Sequence, residues 1–349
     1  MSAPDLVAIV LWAGLTLYAV LGGADFGGGF WDLVAGGDEQ GRAPRALIDL
    51  AIGPVWEANH TWLIFDLVIL WTAFPQAFAS VMSTLFVPLT LAAFGIVLRG
   101  SGFAFRKVVG RLAGQRLFGA VFAISSLLTP FFLGAALGAI ASGRIPVGNA
   151  VGDPWASWLT PTSLLTGVLA VAGSAYLAAV YFVADARRRG DVELEAYFRR
   201  RALAAGLVTG ALALVGLAVL HADATYLFEG LTSRGLPLIL LSVACGGLAL
   251  VLLARGSVHP ARGFAAGAVA AVVVGWGVAQ YPYLLPTTLT LAAGAAPVGT
   301  LAALTVITIV AALLIGPSLG LLFVLDQRSR LEAEGEGFQW TSVSPHERR

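Results

Sequence analysis

Long apolar runs alternate with short polar or proline-containing breaks along almost the whole chain. Each run supplies the roughly 20 apolar residues that an α-helix needs to cross the bilayer core. The runs predict helices over 6–31, 47–73, 76–98, 117–141, 161–184, 200–222, 236–254, 262–284 and 299–323. Breaks fall at Pro75, over 99–116, between Pro146 and Pro161, and over 185–201. Further breaks lie between Ser233 and Pro237, Arg255 and Arg262, and Pro286 and Pro297. The expectation is an all-α polytopic membrane protein of about nine transmembrane helices. A transmembrane domain over 1–325 is followed by a short polar tail, 326–349.

Composition agrees: 58% of residues are hydrophobic and 12% charged, against roughly 25% charged in soluble domains. Glycine is abundant, with 42 residues, which suits helices whose backbones approach closely in lipid. A net charge of +1 gives no basis for nucleic-acid binding. The single Cys245 excludes an internal disulfide framework. Met1 to Asp5 contains no Lys or Arg, so no cleavable signal is read and the first helix is expected to remain as an anchor. Charge also orients the chain. Of the 21 Lys and Arg residues, only Arg144 and Arg234 fall on the side opposite the rest. The positive-inside rule then places the N-terminus outside and the C-terminus in the cytoplasm. Trp155, Trp158, Tyr226, Tyr281 and Tyr283 lie at the expected outer interface.

Ionisable residues inside membrane helices cost about 2.5–3.5 kcal/mol each on insertion scales, so each needs a reason. Asp32 and Asp49 lie near cytoplasmic helix ends, where solvation would suffice. Asp25 sits within the glycine-rich 22–29 segment, either bonded to a neighbouring helix or taking part in transport. The run Trp56-Glu57-Ala58-Asn59-His60-Thr61-Trp62 places a carboxylate, an amide, an imidazole and a hydroxyl in one membrane helix. Glu57, His60 and Thr61 are three and four apart and share a face. Pro54 frees the carbonyl of Leu50 for water or a polar partner. Glu57 is read as a proton-relay acid, a static ion pair with Arg99, or a permanently protonated group. His60 is read as its hydrogen-bonded helper, because a haem would need a second axial ligand that the sequence does not offer. Asp66, nine residues past Glu57, faces elsewhere and is given no role. No Walker, dinucleotide, HExxH or EF-hand motif is present.

These motifs resemble a known family. Gly22-Gly23-Ala24-Asp25-Phe26-Gly27-Gly28-Gly29 is similar to the DGFD-x-G-x-G stretch of subunit II of cytochrome bd-type quinol oxidases. Pro54-Val55-Trp56-Glu57-Ala58-Asn59-His60-Thr61-Trp62-Leu63 resembles that family's P-x-W-D-G-N-x-x-W-L. Ala73-Phe74-Pro75, Arg99, Phe103, Arg106, Tyr281-Pro282-Tyr283, Pro286, Leu289-Thr290 and Ala295-Ala296-Pro297 follow in the family's order. The resemblance implies two four-helix bundles plus one peripheral helix. It implies a haem-bearing subunit I, with haem b and either haem d or b alone, that oxidises quinol and reduces oxygen. It leaves room for a small single-helix subunit and for lipid and quinone contacts. This chain is expected to bind no cofactor and no metal. It would conduct protons in the bacterial inner membrane through Asp49, Glu57 and Asp25, with Trp56, Asn59, His60 and Arg99 in support. Four positions depart from the pattern: Glu57 for Asp, Gly22 for the first Asp, His60 for Glu or Gln, and no acid before Ala295-Ala296-Pro297. The departures mark a divergent branch. A proton-coupled secondary transporter is the contrasting reading, but it calls for an inverted repeat, and none is visible. A purely structural anchor subunit is the other.

Overall fold

The computed structural model describes residues 2–37, 39–53 and 56–327. Pro54 and the tail over 328–349 lie outside the described residues. Helix α1 (Ala3–Leu17) starts at a reciprocal cap. The Ser2 backbone N–H donates to the Asp5 carboxylate at 2.8 Å, and the Asp5 N–H donates to the Ser2 hydroxyl at 3.4 Å. A π-helical turn (Tyr18–Gly22) joins α1 to α2 (Gly23–Leu33), and together they form one rod of 31 residues.

The second and third predicted helices differ from expectation. The run over 47–73 divides into α3 (Arg42–Ile52) and α4 (Trp56–Ala73). The run over 76–98 divides into α5 (Pro75–Thr84) and α6 (Phe86–Val108). The chain bends by 120° between α4 and α5. Pro75 begins α5 in the first turn, where its missing N–H costs nothing. Pro88 cannot donate to the Thr84 carbonyl, which favours the α5–α6 break at Leu85.

Beyond this point the predicted helices recur with longer ends: α7 (Leu112–Ala141), α8 (Pro161–Arg188) and α9 (Val192–Asp223). A short α10 (Thr225–Thr232) precedes α11 (Leu236–Ala254) and α12 (Val258–Gln280). The eighth predicted helix overreaches, because Tyr283 and Leu284 belong to a hairpin. Its strands are β1 (Tyr283–Leu285) and β2 (Leu289–Thr290), paired antiparallel with Tyr283 opposite Thr290. Pro282 and Pro286 deny the helix its donors. A turn of helix, α13 (Leu291–Gly294), leads to α14 (Val298–Gln327). Among the described residues, eight helices are long and apolar enough to cross a membrane, or nine if the bent α4–α5 pair is one span.

Helix α2 lies between α7 and α8, and all of its residues except Phe30 and Leu33 are buried. A Cβ at Gly27 would overlap the Ser174 carbonyl of α8, so only glycine permits that approach. One core joins Trp31, Ile48, Phe122, Leu177, Phe182 and Phe198. A second, at the opposite end, joins Val7, Leu11, Phe74 and Leu85 to the hairpin. Helices α9, α11 and α14 leave large apolar side chains exposed, including Leu214, Leu240 and Leu313. Such faces are stable against lipid or another membrane subunit.

Candidate functional site

Four helices bring polar groups together around the glycine-rich segment. Asp25 of α2 is buried, and its carboxylate accepts a hydrogen bond from the Asn59 amide of α4 at 2.6 Å. Arg99 of α6 is 1% exposed, well inside the helix rather than at its end. Its Nη2 donates to the backbone carbonyl of Asp25 at 3.0 Å, and its Nε donates to the Ser126 hydroxyl of α7 at 3.1 Å. The guanidinium also sits 5.1 Å from the Phe26 ring centroid and 5.3 Å from that of Phe122. Buried charge is tolerated here because opposite charge, hydrogen bonds and ring faces surround it.

A second rung lies one heptad away on the same two helices. Asp32 follows Asp25 by seven residues on α2, and Arg106 follows Arg99 by seven on α6. Seven residues return a helix to nearly the same face after about 10 Å of rise. Arg106 Nη1 donates to Asp32 Oδ2 at 2.5 Å, and its Nη2 pairs with Asp49 of α3. Arg45 Nε meets the other Asp32 oxygen at 2.9 Å. The Phe122 ring lies between the rungs, 4.3 Å from the Arg106 guanidinium. Asp32 is therefore not a solvated helix end: it is buried with both oxygens ion-paired. Asp49 is half-buried and held by Arg106.

The predicted central acid is displaced from this column. Glu57 is exposed on the surface of the chain, and Asp25 occupies the interior position. Helical geometry gives the reason. Asn59 faces inward, and a residue two positions away is rotated by about 200°, onto the opposite face. Nor does Arg99 counter Glu57, since its partners are Asp25 and Ser126. His60 likewise does not serve Glu57. Its Nδ1 lies 3.3 Å from the Tyr18 hydroxyl, and the rings of Tyr18, Phe26 and Trp56 surround it at 6.0, 5.6 and 6.3 Å. Trp56 rests against α6, 5.9 Å from the Phe103 ring.

Sequence reasoning singled out Asp25 and Asn59 as groups within the membrane helices, placed Arg99 at a cytoplasmic helix end where the structure buries it inside α6, and did not single out Arg45, Ser126, Tyr18 or Phe122. Arg106 and Asp32 carried a detectable signal, the seven-residue repeat of acid on one helix and base on another. Ser126 carried none. Chemically the two rungs differ. Asp32 and Asp49 are locked to guanidinium groups, whereas the Asp25 carboxylate takes its hydrogen bond from a neutral amide. A proton can join Asp25 without breaking a direct carboxylate–guanidinium bond.

The chain matches the family model described as cytochrome bd terminal oxidase subunit II over residues 3–325. It is 33% identical over 129 residues to the cytochrome bd ubiquinol oxidase subunit 2 of Bacillus subtilis, covering 37% of this chain and 36% of that one. It is 28% identical over 203 residues to the cytochrome bd-I ubiquinol oxidase subunit 2 of Escherichia coli K12, covering 55% and 50%. The matching stretches thus span half or less of those relatives' length. The structure of bd oxidase from Geobacillus thermodenitrificans superimposes with a TM-score of 0.79 at 25% identity, covering 93% of this chain and 98% of that one. Family match, membrane-helix architecture and structural likeness agree: the chain belongs to the cytochrome bd terminal oxidase subunit II family.

Proposed function

We propose that this chain is the haem-free membrane subunit of a bacterial respiratory quinol:oxygen oxidoreductase, paired with a haem-bearing subunit I, and that it carries protons from the cytoplasm. The observation that carries the reading is the Asp25–Asn59 pair, buried one heptad beyond the ion-paired Asp32–Arg106–Asp49 cluster. In this reading the basic side of the chain is cytoplasmic, so Asp32 and Asp49 are the entry end and Asp25 the deeper station. Arg99 keeps the interior electrostatically balanced around Asp25.

Glu57 supports the partner. With Thr61, Ile64, Val68 and Trp71 it forms an exposed stripe on α4, spaced four, three, four and three residues apart. That spacing is the seam of one helix meeting another. A carboxylate facing lipid costs about 2.5–3.5 kcal/mol, so a partner subunit is the setting in which Glu57 is tenable. There it delivers protons to the oxygen-reducing site of subunit I. The family implies haem in the complex, and His60, the one histidine within the buried site, is already engaged. The His60 ring is enclosed by three aromatic rings and bonded to Tyr18. In this reading haem and quinol belong to subunit I.

The test is Glu57→Gln in the purified complex. Oxygen consumption should fall at least about tenfold, equivalent to about 1.4 kcal/mol of barrier, with the visible haem spectrum unchanged. Full turnover would leave a structural anchor in place of a proton conductor, and purification of the chain without a haem-bearing partner would remove the oxidase reading altogether.

A further inference from the structure

The column described above leaves one buried acid unused. Asp66 of α4 is 8% exposed, and among the described residues neither of its carboxyl oxygens has a hydrogen-bond partner. It follows Asn59 by seven residues, which puts it on the same inward face, about 10 Å nearer the Ala73 end of the helix. Its neighbour there is the backbone of α1. A Cβ at Gly14 would overlap Asp66 Oδ1 and stand 2.9 Å from its Cγ, so the missing side chain of Gly14 makes the space that the carboxyl fills. One turn back, at the i,i+4 position, the Trp62 indole N–H is also buried without a partner. An unmatched donor and an unmatched carboxyl thus share one face of one helix, a turn apart.

We propose that Asp66 is a proton-holding site: a neutral carboxylic acid that exchanges its proton with water and that a side-chain rotation brings within reach of the unpartnered Trp62 indole N–H. An ionised carboxylate would need several donors or a cation to remain in this setting. The acidic and basic groups of the column do not supply one, since Arg99 is committed to Asp25 and Ser126, and Arg106 to Asp32 and Asp49. The titratable groups on α1 and its π turn are Asp5, in the first turn and bonded to Ser2, and Tyr18, which is engaged with His60. The neutral acid has one O–H to place and one carbonyl to offer, which matches the single Trp62 donor and the backbone of α1. The site does not depend on the proposed proton path, because it would hold its proton whether or not the enzyme turns over.

Infrared absorption of the purified complex tests this in the stretching region of protonated carboxyl groups, which ionised carboxylates do not occupy. Asp66→Asn should remove one band from that region, and in the parent complex that band should move on transfer to D₂O. Trp62→Phe, which leaves the acid in place, should shift the band without abolishing it. Identical parent and Asp66→Asn spectra would overturn the proposal, as would a lost band insensitive to D₂O. If the Asn variant does not assemble, Trp62→Phe decides alone: a carboxyl region unchanged from the parent overturns the assignment.

Discussion

Replacing Arg106 with Gln should destabilise the α2–α3–α6 junction more than any other single change in the charged column. Arg106 is 9% exposed and bridges two carboxylates, Asp32 and Asp49. Removing one partner of a buried ion pair costs about 3–5 kcal/mol, mostly because a charge is left without compensation. Asp32 keeps Arg45, and the Asp49 side chain is 22% exposed, so the loss should lie near the low end, at about 3 kcal/mol. The assay is equilibrium unfolding of the complex in mixed micelles, run as a cycle with Asp32→Asn. If the two residues act as one unit, the double variant should lose less than the sum of the single variants, by roughly 1–3 kcal/mol. Strict additivity, or a loss below about 0.5 kcal/mol for Arg106→Gln, the range of ordinary surface changes, would show that the rung is not a coupled ion-pair network.

Three further outcomes follow from the same geometry. Gly27→Ala places a methyl group on the Ser174 carbonyl and should cost about 1–3 kcal/mol in the same unfolding assay, while Gly173→Ala, with nothing nearby, should cost far less. Tyr18→Phe removes the contact with His60 and should cost about 1 kcal/mol or less, measured as a shift in thermal midpoint. In the loop before α8, backbone N–H groups of Ala156 and Trp155 hold the Asp153 carboxyl below its usual range. A depressed folded-state value means that the contribution is present above the ordinary carboxylate titration and fades as pH falls through the depressed one. Asp153→Asn should therefore lower stability at neutral pH and make no difference in strong acid.

How much of this was legible beforehand varied with the physics involved. Apolar run length and charge asymmetry located most of the membrane helices, because lipid imposes a simple length requirement. The 120° bend between α4 and α5 falls at Pro75, where the sequence already placed a break, whereas the α5–α6 break escaped, because hydropathy integrates across Pro88 without registering its lost donor. The start of the hairpin after Gln280 escaped for the same reason at Pro282, inside the predicted helix 262–284. Within the site, Asp25 and Asn59 stood out as polar groups in an apolar setting. Helical spacing correctly grouped Glu57 with Thr61, but it could not say whether their shared face pointed into the chain or out of it. Only the packing of α4 against α1 answers that, and it turns Asn59 and Asp66 inward and Glu57 outward. Asp32 was misjudged because position along a helix measures depth in the membrane, whereas burial depends on which side chains lie alongside.

The most direct measurement of the central claim is proton uptake by the complex carrying Asp25→Asn, reconstituted into liposomes. The substitution preserves shape and hydrogen-bonding capacity next to Asn59 while removing the proton-accepting carboxylate. Oxygen consumption and proton uptake from the basic side should fall together, by at least about tenfold, with the haem spectrum and assembly unchanged. Undiminished oxygen consumption with undiminished uptake in that variant would contradict the account, because protons would then reach subunit I without passing Asp25.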